Sequence, residues 1–381
     1  MNSLDNLFKV FLKTVRYKLT RSEFVGPANP ITLTFSVTNM CQSRCRTCQI
    51  WQLYRKHPDK REEELTLDEI EKIFKSLGHV YFFNISGGEP FLRKDLSEII
   101  SLAVTYLKPG IVHIPTNALA PKTIEEQTNR ILESMSKTNG SIPLTIKPSL
   151  DGVGKKHDEI RGVKGNFEKV IDTVKRLKKI REKYPNLYVE VGTVISKFNM
   201  NDVEEIADFV HKEMGIESYR NEIAEQRTEF FNVGDPITPS AEDYESLIKY
   251  FSGKIKENLS SKRRLTKMTE SLRLVYYDLA IRILRERRQV IPCYAGISNI
   301  HLTPYGELWP CCVLGYDKPM GNLRDVDYDF QRIWDSEQAR NVRRFVKDGN
   351  CYCPLANQAY SNMLCDTNSI LKLVRIFFSF K

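Results

Sequence analysis

"TNMCQSRCRTCQIW" (residues 38–51) sets Cys41, Cys45 and Cys48 in one short loop. Three thiols are one short of the four that close a structural metal site. Thiolates are soft ligands that suit zinc or iron–sulfur clusters. A structural zinc would bring another Cys or His nearby, yet the closest of the six histidines in sequence is His57. An iron without a protein ligand can instead bind a small molecule. The spacing by itself leaves both readings open.

The surroundings narrow them. "ITLTFSV" (31–37) alternates apolar and polar residues and ends at the cysteine loop, so it reads as a strand. A helix follows in "TLDEIEKIFKSL", where Thr66 and Glu69 form a capping-box pattern. Strands at 80–86, 111–117, 143–150, 187–195 and 216–221 then alternate with helices near 94–107, 121–136, 166–183 and 201–213. Six strands separated by helices predict an α/β fold with a parallel sheet, an open partial (β/α)6 TIM-like barrel. Ligand loops of such folds lie at the C-terminal strand ends. "ISGGEP" (85–90) falls at the second of these ends, with Gly87 and Gly88 allowing close backbone approach and Glu89 able to pair with an ammonium.

Composition bounds the rest. With 381 residues, 41% hydrophobic and 28% charged, the chain is a globular protein with an ample core. The net charge of +9 is widely spread and reads as a solvated basic surface, so no nucleic-acid partner is predicted. Neither a signal peptide nor an apolar run of roughly 20 residues is visible. Nine cysteines, an odd number in a chain expected in a reducing cytoplasm, argue against a disulfide framework and for metal ligation or redox chemistry. Three lie at 41–48 and six between 293 and 365. The expected divisions are residues 1–29 as amphipathic helix and lead-in, 30–225 as barrel and 226–290 as helical linker. A small β-hairpin and helix module (291–366) and an apolar, basic tail (367–381) complete them. In the module, "ISNIHLTPYGELWPCCVL" reads as a hairpin turning at Pro304–Gly306.

Taken together, these motifs resemble the radical S-adenosylmethionine (SAM) superfamily, with CxxxCxxC after the first strand and GGEP after the second. The likeness extends to "IPTNA" (114–118) and to "PSLDG" with "HDEIRG" (148–162), which resemble the peptide- and sulfatase-maturase branch. It implies that Cys41, Cys45 and Cys48 hold a 4Fe-4S cluster whose open iron takes the methionine part of SAM. Gly87, Gly88 and Glu89 then meet its amino group, Asn117, Ser149 and Arg161 its polar parts, and Val194 its adenine. The residue before the third cysteine, often aromatic in this family, is Thr47, with Trp51 as a substitute ring. His157 reads as a structural turn residue and Asp151 as turn chemistry beside Gly152.

Cys293, Gly306 and Cys311 resemble the Cys…GxxxxC opening of SPASM and twitch extensions, which carry auxiliary iron–sulfur clusters. A full SPASM has seven cysteines, and here there are six, which implies one auxiliary 4Fe-4S cluster on Cys293, Cys311, Cys351 and Cys353. Cys365 competes for the fourth position, while Cys312 points to the opposite strand face from Cys311. The expected activity is reductive SAM cleavage to a 5′-deoxyadenosyl radical that takes hydrogen from a substrate. That reaction oxidises or matures a peptide, sugar or lipid-linked compound, with an electron donor such as ferredoxin or flavodoxin. A redox-neutral epimerisation or rearrangement is one alternative; a non-catalytic zinc or iron–sulfur interaction protein is another. "RNEIAEQRTE" (220–229) offers Glu222, Glu225 and Arg227 as substrate contacts or, more simply, as a solvated charged helix end. At the termini, Leu4, Leu7, Phe8, Phe11 and Val15 share a helical face, and "SILKLVRIFFSFK" is apolar and basic. Such helices either pack on the barrel or lie against the inner membrane surface.

Overall fold

The computed structural model describes residues 3–262 and 264–379. Strands β1 (Thr32–Ser36), β2 (Phe82–Ser86), β3 (Ile111–Thr116), β4 (Leu144–Pro148) and β5 (Leu187–Val189) run parallel and side by side in chain order. β6 (Val191–Ile195) continues β5 beyond Glu190 and pairs with β7 (Tyr219–Ile223). A Ser149–Gly192 bridge and the Leu150 N–H on the Gly192 carbonyl (2.8 Å) hold β6 beside the end of β4. The six predicted strands are therefore present, the fifth bent at Glu190. The sixth starts later than residue 216, because Ile216 N–H still bonds the Val210 carbonyl (3.1 Å) and so ends the helix Val203–Lys212.

Alternation along each strand divides inside from outside. Leu33, Phe35, Phe83, Ile85, Val112, Ile114, Leu144 and Ile146 are fully buried in the core. The helices Leu67–Leu77, Leu96–Leu102, Pro121–Asn139 and Asn166–Lys183 supply the rest of that layer. The first of these begins with the capping box read from sequence: Thr66 Oγ1 accepts from Glu69 N–H, and Glu69 accepts from Thr66 N–H at 2.8 Å. The residues of opposite parity, from Thr34 to Glu222, form a polar layer within the barrel.

The C-terminal module joins the same sheet. β8 (Asn299–Leu302), β9 (Glu307–Trp309) and β10 (Gly321–Asn322) form an antiparallel unit whose first turn contains Gly306 at φ +85°. β8 pairs in parallel with β1, from Thr32 opposite Asn299 to Phe35 opposite Leu302. The resulting order is β10-β9-β8-β1-β2-β3-β4-β5. Glu69 ties the module down by accepting from Arg324 Nε (2.7 Å) and Tyr328 Oη (2.8 Å). Helices Ala241–Asn258 and Arg264–Glu286 connect barrel and module, and Asn357 of helix Ala356–Cys365 donates to Thr34 Oγ1 inside the barrel (3.3 Å).

The first helix, Ser3–Arg21, buries Tyr17 against Tyr294, Ile297 and Cys365. Leu12, Val15 and Leu19 stay exposed; the side chains of Leu4, Leu7, Phe8 and Phe11 lie outside the described ones. The last helix, Thr367–Ser379, packs through Leu373 and Ile376 and leaves Leu371, Val374 and Phe378 exposed. Among the described residues, no helix is long and apolar enough to cross a membrane.

Candidate functional site

The cysteine loop is strapped from three sides. Arg44 and Arg46 N–H groups bond the carbonyls of Arg161 (3.0 Å) and Ile160 (2.9 Å), at the end of the short helix Lys155–Arg161. Gly162 follows at φ +66°, where a Cβ would sit 2.4 Å from the Arg44 carbonyl oxygen. Asn232 donates to the Thr47 carbonyl (2.8 Å), and Gln49 N–H bonds the Phe230 carbonyl (2.8 Å). On the third side, Gly88 and Glu89 N–H groups bond the carbonyls of Thr38 and Met40, both at 2.8 Å. A Cβ at Gly87 would lie 2.1 Å from Thr38 O and one at Gly88 2.2 Å from Met40 O. The close approach these glycines permit is thus to the cysteine loop's own backbone.

Polar groups converge on the sulfurs. Asn117 Nδ2 lies 3.7 Å from Cys41 Sγ, Arg161 Nη1 3.4 Å from Cys45 Sγ and Ser43 Oγ 3.2 Å from Cys45 Sγ. Burial pushes the Cys41 thiol up to about 12 and that of Cys48 well above its ordinary value. The site therefore opposes bare thiolates while holding hydrogen bonds ready for metal-bound ones.

Glu89 is almost wholly enclosed. Its carboxylate accepts from Thr116 Oγ1 (2.8 Å), Asn117 N–H (2.6 Å) and Phe91 N–H (3.2 Å), and burial raises it to about 7. Ser149 is fixed by its N–H on the Thr116 carbonyl, and Val194 by its N–H on Asp151 Oδ1 (2.9 Å). Asp151 does more than shape a turn: its other oxygen lies 2.9 Å from Arg161 Nε, so it links β4, β6 and the helix that straps the cysteine loop. His157 accepts the Asp151 N–H at 3.0 Å, and burial lowers it to about 4, consistent with a neutral structural acceptor. Trp51 stacks under Arg55, 5.4 Å from its ring centre.

Inside the barrel, Asn84, His113, Lys147 and Glu190, which the sequence reading passed over, join Arg220 and Glu222 in a polar set. His113 Nδ1 lies 2.7 Å from Asn84 Oδ1, Lys147 Nζ donates to Glu222 at 3.1 Å, and Arg220 reaches Glu190 at 3.4 Å. Lys147 and Glu222 keep 18% and 34% of their side-chain surface, so water reaches this lumen. The Lys147 ammonium holds the Glu222 carboxyl below the usual range, and burial raises Glu225 to about 7. Residues 222–229 are thus no solvated helix end. Glu222 belongs to β7, and the segment beyond it runs back through the interior. The missed signal was the polar residues at lumen parity: Asn84 and Ser86 in "FFNIS", His113 in "IVHIP", and Thr145 and Lys147 in "LTIKP".

Four module thiols, Cys293, Cys311, Cys351 and Cys353, line one cavity with apolar neighbours such as Leu279 and Val290. Burial raises all four, Cys311 and Cys351 to about 12. Cys365 sits apart, packed on Tyr17 and Tyr294. Cys312 lies instead with Glu229 and His301, their ligand atoms within 4.8 Å of one another. Ser36 Oγ bonds both Glu229 (3.0 Å) and His301 Nε2 (2.8 Å), so these three form a hydrogen-bonded seam between β1, β8 and the segment after β7, with Cys312 beside it.

A family model described as the Radical SAM superfamily matches residues 35–210, and one for the SPASM iron–sulfur cluster-binding domain matches residues 293–354. The chain carries a radical SAM domain followed by a SPASM domain. This radical SAM–SPASM chain is 23% identical over 376 residues to the antilisterial bacteriocin subtilosin biosynthesis protein AlbA of Bacillus subtilis, covering 92% of this chain and 74% of AlbA. It is 25% identical over 348 residues to an AdoMet-dependent heme synthase of Oleidesulfovibrio alaskensis, covering 85% and 80%. The fold matches the crystal structure of Streptococcus suis SuiB bound to precursor peptide SuiA with a TM-score of 0.59 at 17% identity, covering 91% and 73%.

The radical SAM domain implies a 4Fe-4S cluster with SAM, and the SPASM domain implies auxiliary iron–sulfur clusters. The residues fit both. Hydrogen bonds aimed at sulfur are a means by which proteins tune such clusters, and the loop of the radical SAM–SPASM chain carries them at Cys41 and Cys45. In its module, a cavity walled by four thiols and apolar side chains suits a cluster bound by cysteine alone.

Proposed function

We propose that this chain is a radical SAM peptide maturase that oxidises its substrate. Cys41, Cys45 and Cys48 hold the SAM-binding cluster, and Cys293, Cys311, Cys351 and Cys353 hold one auxiliary cluster. With SAM bound, the first cluster supplies reductive cleavage to a 5′-deoxyadenosyl radical able to take hydrogen from an unactivated C–H bond. Glu89 receives the ammonium of SAM, Asn117, Ser149 and Arg161 orient its polar groups, and Val194 lies against the adenine. Lys147, Glu222 and His113 hold polar groups of the substrate in the lumen, where the bound substrate displaces the water.

The observation that carries this reading is the course of residues 222–229. Glu222 meets Lys147 in the lumen, Thr228 Oγ1 donates to the Val313 carbonyl just beyond Cys311 and Cys312 (3.4 Å), and Glu229 accepts from Ser36 Oγ at the end of the strand that leads into the cysteine loop (3.0 Å). One segment therefore runs from the substrate cavity to the base of the cysteine loop and to the thiol-bearing module, which supports a reaction that uses both. AlbA and SuiB, whose names and structures concern a bacteriocin and a precursor peptide, support a peptide as substrate. The test is anaerobic reconstitution with SAM, a reductant such as reduced flavodoxin, and the short peptides encoded beside the gene. A peptide that loses two hydrogens, with 5′-deoxyadenosine released, supports the proposal. Return of deuterium from solvent without mass loss supports epimerisation instead, and a colourless zinc protein removes both.

Glu89 gives the binding step a pH dependence. Above pH 7 its carboxylate is already ionised and pairs with the ammonium; below, a proton must leave for each SAM bound. SAM affinity therefore falls about tenfold per pH unit below roughly pH 7, as anaerobic calorimetry measures. A flat profile excludes Glu89 from the site.

The terminal helices support a peripheral membrane contact. Leu12, Val15 and Leu19 on the first helix, and Leu371, Val374 and Phe378 on the last, are exposed among basic residues such as Lys18, Lys372 and Arg375. Co-sedimentation with phosphatidylglycerol vesicles in preference to phosphatidylcholine vesicles is the expected result; equal recovery from both excludes the contact.

A further inference from the structure

Where the first helix ends, its last turn and the loop after it face the helix Glu337–Lys347 across a cleft of about 320 Å3. Arg21, Arg340, Arg343, Arg344 and Lys347 line it, against only two carboxylates, Glu23 and Asp335.

Arg343 is the unusual member. It is only 8% exposed, its Nε donates to the Gly296 carbonyl at 2.7 Å, and its guanidinium lies 4.2 Å over the Trp334 ring. Its Nη2 has no hydrogen-bond partner among the described residues. Several other enclosed arginines are paired, Arg161 with Asp151, Arg93 with Glu64 and Asp95, and Arg273 with Glu270, whereas Arg227, like Arg343, has no ion pair among the described residues. An enclosed guanidinium without a bonded carboxylate is costly, and burial lowers its affinity for the proton. The cleft thus carries a positive charge that its own acids do not balance.

Glu23 indicates what balances it. Its carboxylate bridges Arg344 Nη2 (3.0 Å) and Lys347 Nζ (2.9 Å), and its backbone adopts φ +66°, a left-handed conformation uncommon outside glycine. Phe24, next in sequence, is 78% exposed, and with Val25 and Pro27 it gives the cleft an apolar wall. A carboxylate of the chain itself occupies part of a space larger than one carboxylate needs, beside apolar groups left uncovered.

We infer that this cleft docks an acidic peptide segment, its carboxylates on the exposed Arg340 and Arg344 above the buried charge of Arg343 and an apolar side chain on Phe24, with Glu23 as the built-in competitor. The inference rests on the peptide-maturase reading, and it assigns to the substrate a recognition segment held away from the barrel lumen. An inorganic anion would meet the charge but leave the apolar wall unused.

Fluorescence anisotropy on the reconstituted full chain tests it. The probes are a fluorescein-labelled peptide of alternating Glu and Leu and its Gln–Leu counterpart. The acidic probe is expected to bind about tenfold tighter than the neutral one. Arg340→Ala with Arg344→Ala, both on the exposed helix face, weakens it about tenfold, and Glu23→Gln tightens it severalfold. Equal affinity for the two probes overturns the inference, as does an unchanged affinity in either variant. Displacement by millimolar phosphate makes the site one for small anions, and displacement by phosphatidylglycerol vesicles makes it one for lipid; either result also overturns it. Anisotropy needs no turnover, so a failure of the barrel chemistry appears separately, as absence of peptide oxidation, and leaves this comparison readable.

Discussion

Cys45→Ala is expected to leave SAM cleavage below about one-thousandth of the wild-type rate and to lower iron from about eight to about four per chain. Cys45 sits in the middle of the loop, and its sulfur takes both the Arg161 and the Ser43 contacts. Cys312 and Cys365 are not poised to replace it, because Cys312 lies beside Glu229 and His301 and Cys365 packs on Tyr17. Changing Cys312 or Cys365 to serine should accordingly leave iron content unchanged. Iron analysis and 5′-deoxyadenosine release together decide the matter. A Cys45→Ala protein that still cleaves SAM places the chemistry elsewhere.

Cys311→Ala separates the two clusters. SAM cleavage should survive, because Cys41, Cys45 and Cys48 are held by loops that do not depend on the module thiols. Oxidised product should fall about a hundredfold or more, since the electron left on the substrate loses its acceptor. The ratio of 5′-deoxyadenosine to product then rises steeply, and iron again drops to about four per chain. Undiminished product formation would leave the auxiliary site a purely structural role. Cys353→Ala should behave alike, being enclosed in the same cavity, whereas the surroundings of Cys365 predict a loss of packing only.

The barrel was legible from sequence because its strands end where their chemistry begins: "ITLTFSV" runs into the cysteines and "VYFFNIS" into GGEP. Periodicity sufficed there, since apolar positions at one parity must meet helices. It did not suffice for the lumen. His113, Lys147 and Glu190 each look like one tolerated polar residue in an apolar strand, and only closure of the sheet brings them within reach of one another. Glu222 and Glu225 misled for the opposite reason: clustered charge reads as solvent exposure unless the fold encloses it. Spacing could not choose between Cys365 and the Cys351–Cys353 pair, because the choice depends on where helix Ala356–Cys365 carries the last thiol. The pairing of β8 with β1 left no trace either, as parallel registry between distant segments has no local signature.

That pairing has a mechanical consequence. A strand lent by the module to the barrel's first strand caps an edge that would otherwise be bare, and bare edges invite association between molecules. A protein cut before residue 291 would expose that edge. It should be recovered as aggregate rather than as a smaller, working barrel. Demetallation of the module threatens the same outcome if it loosens the hairpin, so oxygen damage at the auxiliary site can end in precipitation as well as in lost turnover.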